Sequence, residues 1–294
     1  MTILTDVTNK QRMAQVIALG NQKGGVGKTS TTVHLAAALG ELGYRVLIWD
    51  LDSNAGATKS FGIPPEFRGS CDVLAGDETP AAVILKRDPV EVPELPQNVD
   101  LIAARRDLEE LDARLRQKNK FIDPSQVLLK PLAELRPLYD FVLLDTAPNV
   151  NTPTVGAYKG ADWFMLVAFP EPLAIRGLND AIEDIATVKN AGNPNLRLLG
   201  VLLCNVERGR RVSSLMIEFA KDGMEAAGEF GVFETMISRA TAVAKAQAQG
   251  KTMLETDPTH KVTDQYRALA REVLGRLEKA NSAKVNVTPE TRHA

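Results

Sequence analysis

The sequence contains only two cysteines, Cys71 and Cys204, among its 294 residues. Two thiols make neither a disulfide framework nor a four-ligand zinc site by themselves. Long apolar runs are also missing, and none approaches the roughly 20 residues that a membrane span needs. The opening stretch, MTILTDVTNKQRMAQ, lacks the basic and apolar regions of a signal peptide. These absences together predict a cytoplasmic protein. Excess charge of one sign is absent as well: 35 Lys and Arg against 37 Asp and Glu leave a net charge of −2. That balance argues against a bulk polycation and leaves room for a local basic face. No internal linker rich in Pro, Gly or Ser is long enough to separate a pair of domains, and there are no repeats. What remains is an ordinary globular composition, 44% hydrophobic and 24% charged.

Apolar runs alternate with helical patterns, which is the signature of βαβ units and a parallel sheet. The strand candidates are VIALG (16–20), RVLIWD (45–50), VDLIA (99–103), FVLLD (141–145), WFMLVAF (163–169), LLGVLLC (198–204) and VFETMI (232–237). Several are apolar throughout, as strands buried on both faces should be. Helical spacing appears over Thr29 to Leu42, Leu173 to Val188, Val212 to Ala227 and Val262 to Leu277. The segment DLEELDARLRQKNK (107–120) is a charged helix candidate with a solvated face, and the stretch Lys86 to Gln97 reads as a surface excursion. The expected fold is α/β: one domain over residues 14–280 with a mostly parallel, doubly wound twisted sheet flanked by helices. Residues 1–13 and 281–294 read as flexible extensions.

The sharpest local feature is GNQKGGVGKTS, Gly20 to Ser30, which follows an apolar strand and opens a helix. That context suits a phosphate-binding loop. Glycines let backbone N–H groups converge on an anion, and the helix N-terminus adds a favourable dipole. Gly24, Gly25, Val26 and Gly27 would cradle the phosphates together with Ser30. Lys28 would neutralise phosphate oxygens, and the Thr29 hydroxyl would coordinate Mg²⁺. The general pattern G-x-x-x-x-G-K-[ST] is not fully met, because Gln22 stands where its first glycine falls. Instead a second lysine, Lys23, precedes Gly24, giving K-G-G-V-G-K-T.

This string resembles the loop of the ParA/MinD family of deviant P-loop ATPases, and the likeness runs from about Val16 to about Lys279. The resemblance implies a P-loop NTPase fold with ATP and Mg²⁺ as cofactors. It also implies that Lys23 reaches across an ATP-bound sandwich homodimer to the partner's phosphates. A cation supplied in trans stabilises charge developing on the transferred phosphoryl group. ATP then forms part of the dimer interface, so dimerisation is linked to nucleotide state.

The strand RVLIWD ends in Asp50-Leu51-Asp52, whose alternation puts both carboxylates on one side at a strand's C-terminal end. The segment DLDSNAGATKSFG resembles the family's D-x-D-P-Q-G-N-A-T, with Ser53, Asn54 and Ala55 replacing Pro, Gln and Gly. By that likeness Asp52 positions or activates the attacking water. Asp50 supports Mg²⁺ through water or holds the loop fold. FVLLDTAPN closes an apolar run on Asp145, a Walker B pattern, with Asp145 holding Mg²⁺ through water. Thr146, Ala147 and Pro148 would begin a second switch.

After LLGVLLC comes Asn205, which the resemblance places at the adenine edge; a strand-end Asn is also a common turn residue. MISRATAVAKAQAQGK resembles the family's I-P-R-x-x-x-x-x-x-A stretch, with Ser238 where proline is usual and its backbone near the base or ribose. Basic residues gather in this later part: Arg208, Arg210, Arg211, Arg239, Lys245 and Lys251. In ParA relatives such residues form a nonspecific DNA-binding face, and phosphate contacts of that kind need only positive charge. Glu207, Glu218 and Asp222 lie among them, as on a mixed solvated surface.

Family branches divide on residues. An iron–sulfur reductase branch needs cluster cysteines in another setting. A membrane-bound branch ends in an amphipathic helix, whereas NSAKVNVTPETRHA has a proline and almost no large apolar residue. Tyrosine autokinases carry a C-terminal tyrosine cluster, and here only Tyr266 lies near that end. Amidotransferase synthetases need a further domain, and larger plasmid ParA proteins an N-terminal helix-turn-helix. The expectation is a small ParA-like partition ATPase of the cytoplasm and nucleoid. It would bind nonspecific DNA as an ATP dimer, meet a ParB-like centromere-binding protein that stimulates slow hydrolysis, and not associate with membrane. The alternatives are a nucleotide switch that positions a protein assembly, and a metabolic P-loop enzyme acting on a small substrate.

Overall fold

The computed structural model describes residues 13–88, 92, 95–118, 123–170, 183, 185–207 and 231–285. Seven strands form one sheet in the spatial order β3-β4-β2-β5-β1-β6-β7. They are β1 (Gln15–Gly20), β2 (Val46–Asp50), β3 (Ile84–Leu85), β4 (Val99–Ile102), β5 (Phe141–Asp145), β6 (Trp163–Ala168) and β7 (Arg197–Leu203). Every pairing is parallel except β3 with β4. The interior strands are buried on both faces, which is why β2, β5 and β6 read as unbroken apolar runs. Alternate side chains divide between two cores. Leu47, Trp49, Val142 and Leu144 join one. Val46, Ile48, Phe141 and Leu143 join the other.

Helices cover both faces. α1 (Lys28–Glu41) follows the phosphate loop and packs with the long last helix on one face. α2 (Gly56–Ser60), α3 (Ser70–Leu74), α4 (Pro80–Val83), α5 (Leu111–Lys118), α6 (Leu129–Leu135) and α7 (Thr152–Gly160) follow in order. α8 (Thr241–Ala248), α9 (Met253–Thr256) and α10 (Lys261–Val285) follow among the described residues. α10 continues to Val285, past the boundary expected at 280. The expected helix at 173–188 is described only at its end, and the one at 212–227 lies outside the described residues.

Two expectations change. The charged segment 107–120 opens as a 3₁₀ turn, Arg106–Glu110, before α5. It buries Leu108, Leu111 and Leu115, so it is a core-bound helix as well as a solvated one. The segment 232–237 does not form a strand. It touches β7 through an isolated bridge at Val232, and a second bridge pairs Ser238 with Val206 beyond the strand. Between those points the Glu234 and Thr235 N–H groups donate to the Glu272 carboxylate on α10, which pulls the backbone off the ladder.

Candidate nucleotide and metal site

The C-terminal ends of β1, β2 and β5 lie side by side, because β5 pairs with both of the others. Open α/β sheets place ligands at such ends. The loop from Asn21 to Gly27 leaves β1 here and turns into α1. Gly27 makes the turn at φ 98, a backbone region open chiefly to glycine. At Gly24 and Gly25 an added Cβ would meet nothing within 4 Å, so the loop backbone faces open space.

Lys28 is buried, only 6% exposed, and its Nζ donates to the Asn21 carbonyl across 3.0 Å. Burial lowers its pKa, and the charges of Asp145 and Asp52 oppose that shift. Asn21 organises the loop: its Nδ2 donates to the Val167 carbonyl at 2.8 Å and its Oδ1 accepts the Lys23 N–H at 2.7 Å. The Lys23 ammonium sits 5.7 Å from the centre of the Phe169 ring.

Asp145 is fully buried, and two hydroxyls of α1 hold its carboxylate: Thr29 Oγ1 donates to Oδ2 at 2.8 Å and Thr32 Oγ1 to Oδ1 at 3.2 Å. Burial, and then the neighbouring Asp50, push its pKa upward. A buried carboxylate beside a second one is a poor anion until a cation arrives. One carboxylate and one hydroxyl are hard oxygen donors that suit Mg²⁺, which takes few protein ligands beside phosphate and water. No group of three or more His, Cys, Asp and Glu poised for a metal occurs among the described residues. The Thr29 hydroxyl and the Asp145 carboxylate suit a metal shared with phosphate.

Asp50 pairs in register with Asp145 and is also fully buried. Its Oδ2 accepts from both the N–H and the hydroxyl of Thr58, at 2.9 and 2.8 Å, and its Oδ1 accepts from Asp52 N–H at 3.2 Å. Both oxygens thus fix the 52–58 loop. Burial raises its pKa, and the Thr58 bonds work against that. Asp52 is half-buried, and Asn54 holds its Oδ1 through the backbone N–H at 2.9 Å and Nδ2 at 3.0 Å. Asn54 thus orients the expected catalytic carboxylate. Ala55 takes a left-handed backbone at φ 54 where the family pattern has glycine.

A groove of about 270 Å³ opens beside the loop, lined by Gly25, Val26, Gly27, Ser30, Asn205 and Ser238, with Phe169, Cys204, Arg239, Val243 and Tyr266 among the others. It brings the expected base-side residues onto the phosphate loop. Asn205 itself adopts φ 60, a conformation asparagine tolerates. Beneath the groove, burial pushes the Cys204 thiol up to about 12, and its sulfur lies 3.6 Å from Thr31 Oγ1. Arg239 lines the groove and pairs with Glu207 at 2.6 Å. Lys245 lies in the last turn of α8 and Lys251 just beyond it. Arg208, Arg210 and Arg211 lie outside the described residues.

Of four further site residues, Thr32 lies outside the motifs of the sequence, and Asn21, Thr58 and Gln247 lie inside matched segments without a role assigned to them there. Gln247 of α8 accepts from Ser30 Oγ at 3.3 Å and donates to Ser60 Oγ at 3.0 Å, bridging α1 and α2.

The AAA domain family matches residues 14–198. The chromosome-partitioning ATPase Soj of Thermus thermophilus is 34% identical over 267 residues, covering 90% of this chain and 97% of that protein. The chain belongs to the ParA/MinD family of P-loop ATPases. The chromosome partitioning protein ParA of Caulobacter vibrioides is also 34% identical, over 89% of this chain and 94% of that protein. Among solved structures, cobyrinic acid a,c-diamide synthase from Mycobacterium smegmatis with bound ATP analogue and magnesium has a TM-score of 0.75 at 28% identity, covering 91% of this chain and 96% of that one. The septum site-determining protein MinD of Pyrococcus horikoshii with Mg-ADP has a TM-score of 0.70 at 26% identity, covering 89% and 96%. This ParA/MinD chain has no described helix long and apolar enough to cross a membrane.

Proposed function

We propose that this ParA/MinD chain is a partition ATPase that takes ATP and Mg²⁺, dimerises with ATP bound, and holds nonspecific DNA in that state. The observation that carries the reading is the contact of Thr29 with Asp145 beneath a loop bearing both Lys23 and Lys28. Near-full-length likeness to Soj and ParA proteins supports the partition role.

Mg²⁺, when bound, would supply positive charge that offsets charge on the phosphate. The chain's own groups do the rest. Backbone N–H groups of Gly24 to Lys28 converge on the phosphates, and Lys28 adds a positive charge there. Thr29 and Asp145 would hold the metal, while Asp50 keeps the 52–58 loop in place. Asp52, oriented by Asn54, accepts a hydrogen bond from the attacking water. Lys23 of each protomer contributes to the partner's site. The groove between the phosphate loop and Ser238 receives the adenosine, with Asn205 at the base. Hydrolysis, slow alone and stimulated by a ParB-like centromere-binding protein, opens the dimer and releases the DNA.

Arg208, Arg210, Arg211, Arg239, Lys245 and Lys251 supply the basic face, one half from each protomer. A gel-shift assay with nonspecific duplex DNA, run with ATP and ADP in parallel, tests this reading. Salt-sensitive binding with ATP alone is the expected result. Nucleotide-dependent dimerisation without DNA binding would instead favour a switch that positions a protein assembly.

The alternative of a metabolic P-loop enzyme gains no nucleophile from the thiols. Cys71 Sγ donates to the Asp107 carbonyl at 3.2 Å, and burial pushes its pKa up to about 11. Cys204 lies against Thr31. Such raised thiols are weak nucleophiles.

A further inference from the structure

We infer that Gln265 is a positioning residue for the adenosine groove, acting through Ser238; the inference rests on the reading of that groove as the nucleotide site. Ser238 stands where the family pattern has proline. The difference matters because of how the backbone runs there. Ile237 N–H donates to the Leu203 carbonyl at 2.9 Å, and its carbonyl accepts Val206 N–H at 3.0 Å. Arg239 N–H donates to the Val206 carbonyl at 3.1 Å. The segment 237–239 thus extends the edge beyond β7 and walls the groove.

In an extended chain alternate N–H groups point to opposite sides. With 237 and 239 bonded toward β7, the N–H of 238 points away, toward α10. Proline would bring no N–H and a fixed φ. Serine brings a donor that needs a partner and a backbone that is freer to move. Gln265 answers both needs. Its Oε1 accepts the Ser238 N–H at 2.9 Å, and its Nε2 donates to Ser238 Oγ at 3.0 Å. A two-point clamp of this kind fixes orientation as well as distance.

Gln265 is also tied to the groove from below. It precedes Tyr266, which lines the groove and stacks on His34 at 4.6 Å between ring centres. One turn of α10 therefore sets both the floor and the wall. Losing the clamp would leave a part-buried N–H without an acceptor and let the wall drift from the base. The phosphate end of the site, held by Asn21, Lys28 and Asp145, does not depend on it.

The test is calorimetric titration of ATP and of inorganic tripolyphosphate, each with Mg²⁺, into wild type, Gln265→Met and Gln265→Glu. Methionine keeps the volume and removes both bonds. Glutamate keeps both, since the Ser238 hydroxyl then turns to donate. ATP affinity should fall about tenfold in Gln265→Met and stay within about twofold in Gln265→Glu, with tripolyphosphate unchanged in all three. A steady-state assay should show KM rising with little change in kcat. Should the methionine variant fail to fold, Ser238→Ala removes the hydroxyl contact alone and should weaken ATP about threefold. Equal ATP affinity in wild type and the clamp-less variant overturns the inference, as does parallel loss of tripolyphosphate. A wild-type protein that binds neither ligand overturns the reading of the site itself.

Discussion

The Thr29 hydroxyl donates to Oδ2 of Asp145 across 2.8 Å, tying the first turn of α1 to the end of the neighbouring strand. The loop that follows β2 crowds this contact. A Cβ added at Gly56 would sit 3.0 Å from both Oγ1 and Cγ2 of Thr29. Gly56→Ala should therefore press on Thr29 and loosen its contact with Asp145. Overpacking of this order raises the Mg²⁺ needed for half-maximal ATP hydrolysis about tenfold. A magnesium titration of the rate checks it, and an unchanged requirement would show that Gly56 does not hold Thr29 against Asp145.

Lys28 sits buried at the head of α1, with its Nζ against the Asn21 carbonyl. Burial holds its pKa below the ordinary lysine value, so its charge is costly until an anion comes close. Lys28→Ala relieves that cost and removes the contact. ATP affinity should drop about 100-fold while the thermal midpoint stays equal or rises. Calorimetry and a melting curve on one preparation measure both, and unchanged ATP affinity would sink the assignment.

Asp52 differs from its neighbour Asp50 in what its oxygens do. Asp50 spends both on Thr58 and the loop backbone, whereas Asp52 is held through Oδ1 by Asn54. Asp52→Ala should slow hydrolysis about 100-fold and leave ATP binding intact. An ATP-bound dimer should then persist on size exclusion. A variant that remains monomeric in ATP would contradict the role given to Asp52.

The contrast between these carboxylates also marks what is readable in the sequence. Buried strands announce themselves, because β2 and β5 have no solvent face and must be apolar until the terminal aspartate. The phosphate loop is readable because its glycines and lysines follow from local backbone needs. The roles of Asn21, Thr58 and Gln247 are not readable, although all three fall within matched segments: their side chains act on groups far away in the chain or across a loop. The two-residue edge strand β3 escapes notice because so short a run has no periodicity. The segment 232–237 looks like a strand by composition and is captured instead by Glu272, a partner no local pattern reveals. The basic face is legible as charge, yet Arg239 is spent partly on Glu207.

His34 gives a pH dependence separate from the metal. It is fully buried between α1, α9 and α10, stacked on Tyr266 at 4.6 Å. Its Nε2 accepts the Met253 N–H at 3.1 Å, so the proton resides on Nδ1 and is donated to the Ser30 carbonyl at 2.7 Å. Burial lowers its pKa to about 4, and the Ser30 bond opposes the shift. A histidine lowered in the folded state binds fewer protons there than in the unfolded chain between pH 6.5 and about 4. Stability is therefore undiminished above 6.5 and falls as pH drops through that window, by about 3 kcal/mol in all for this one group. His34→Gln has no charge to gain. Its melting temperature should start lower at pH 7, because the two fixed bonds and the stack on Tyr266 are disturbed, but should decline less steeply toward pH 4 than that of wild type. Melting curves at half-unit pH steps, without nucleotide or Mg²⁺, measure the difference. Parallel curves for the two proteins would show that His34 is not the group that titrates.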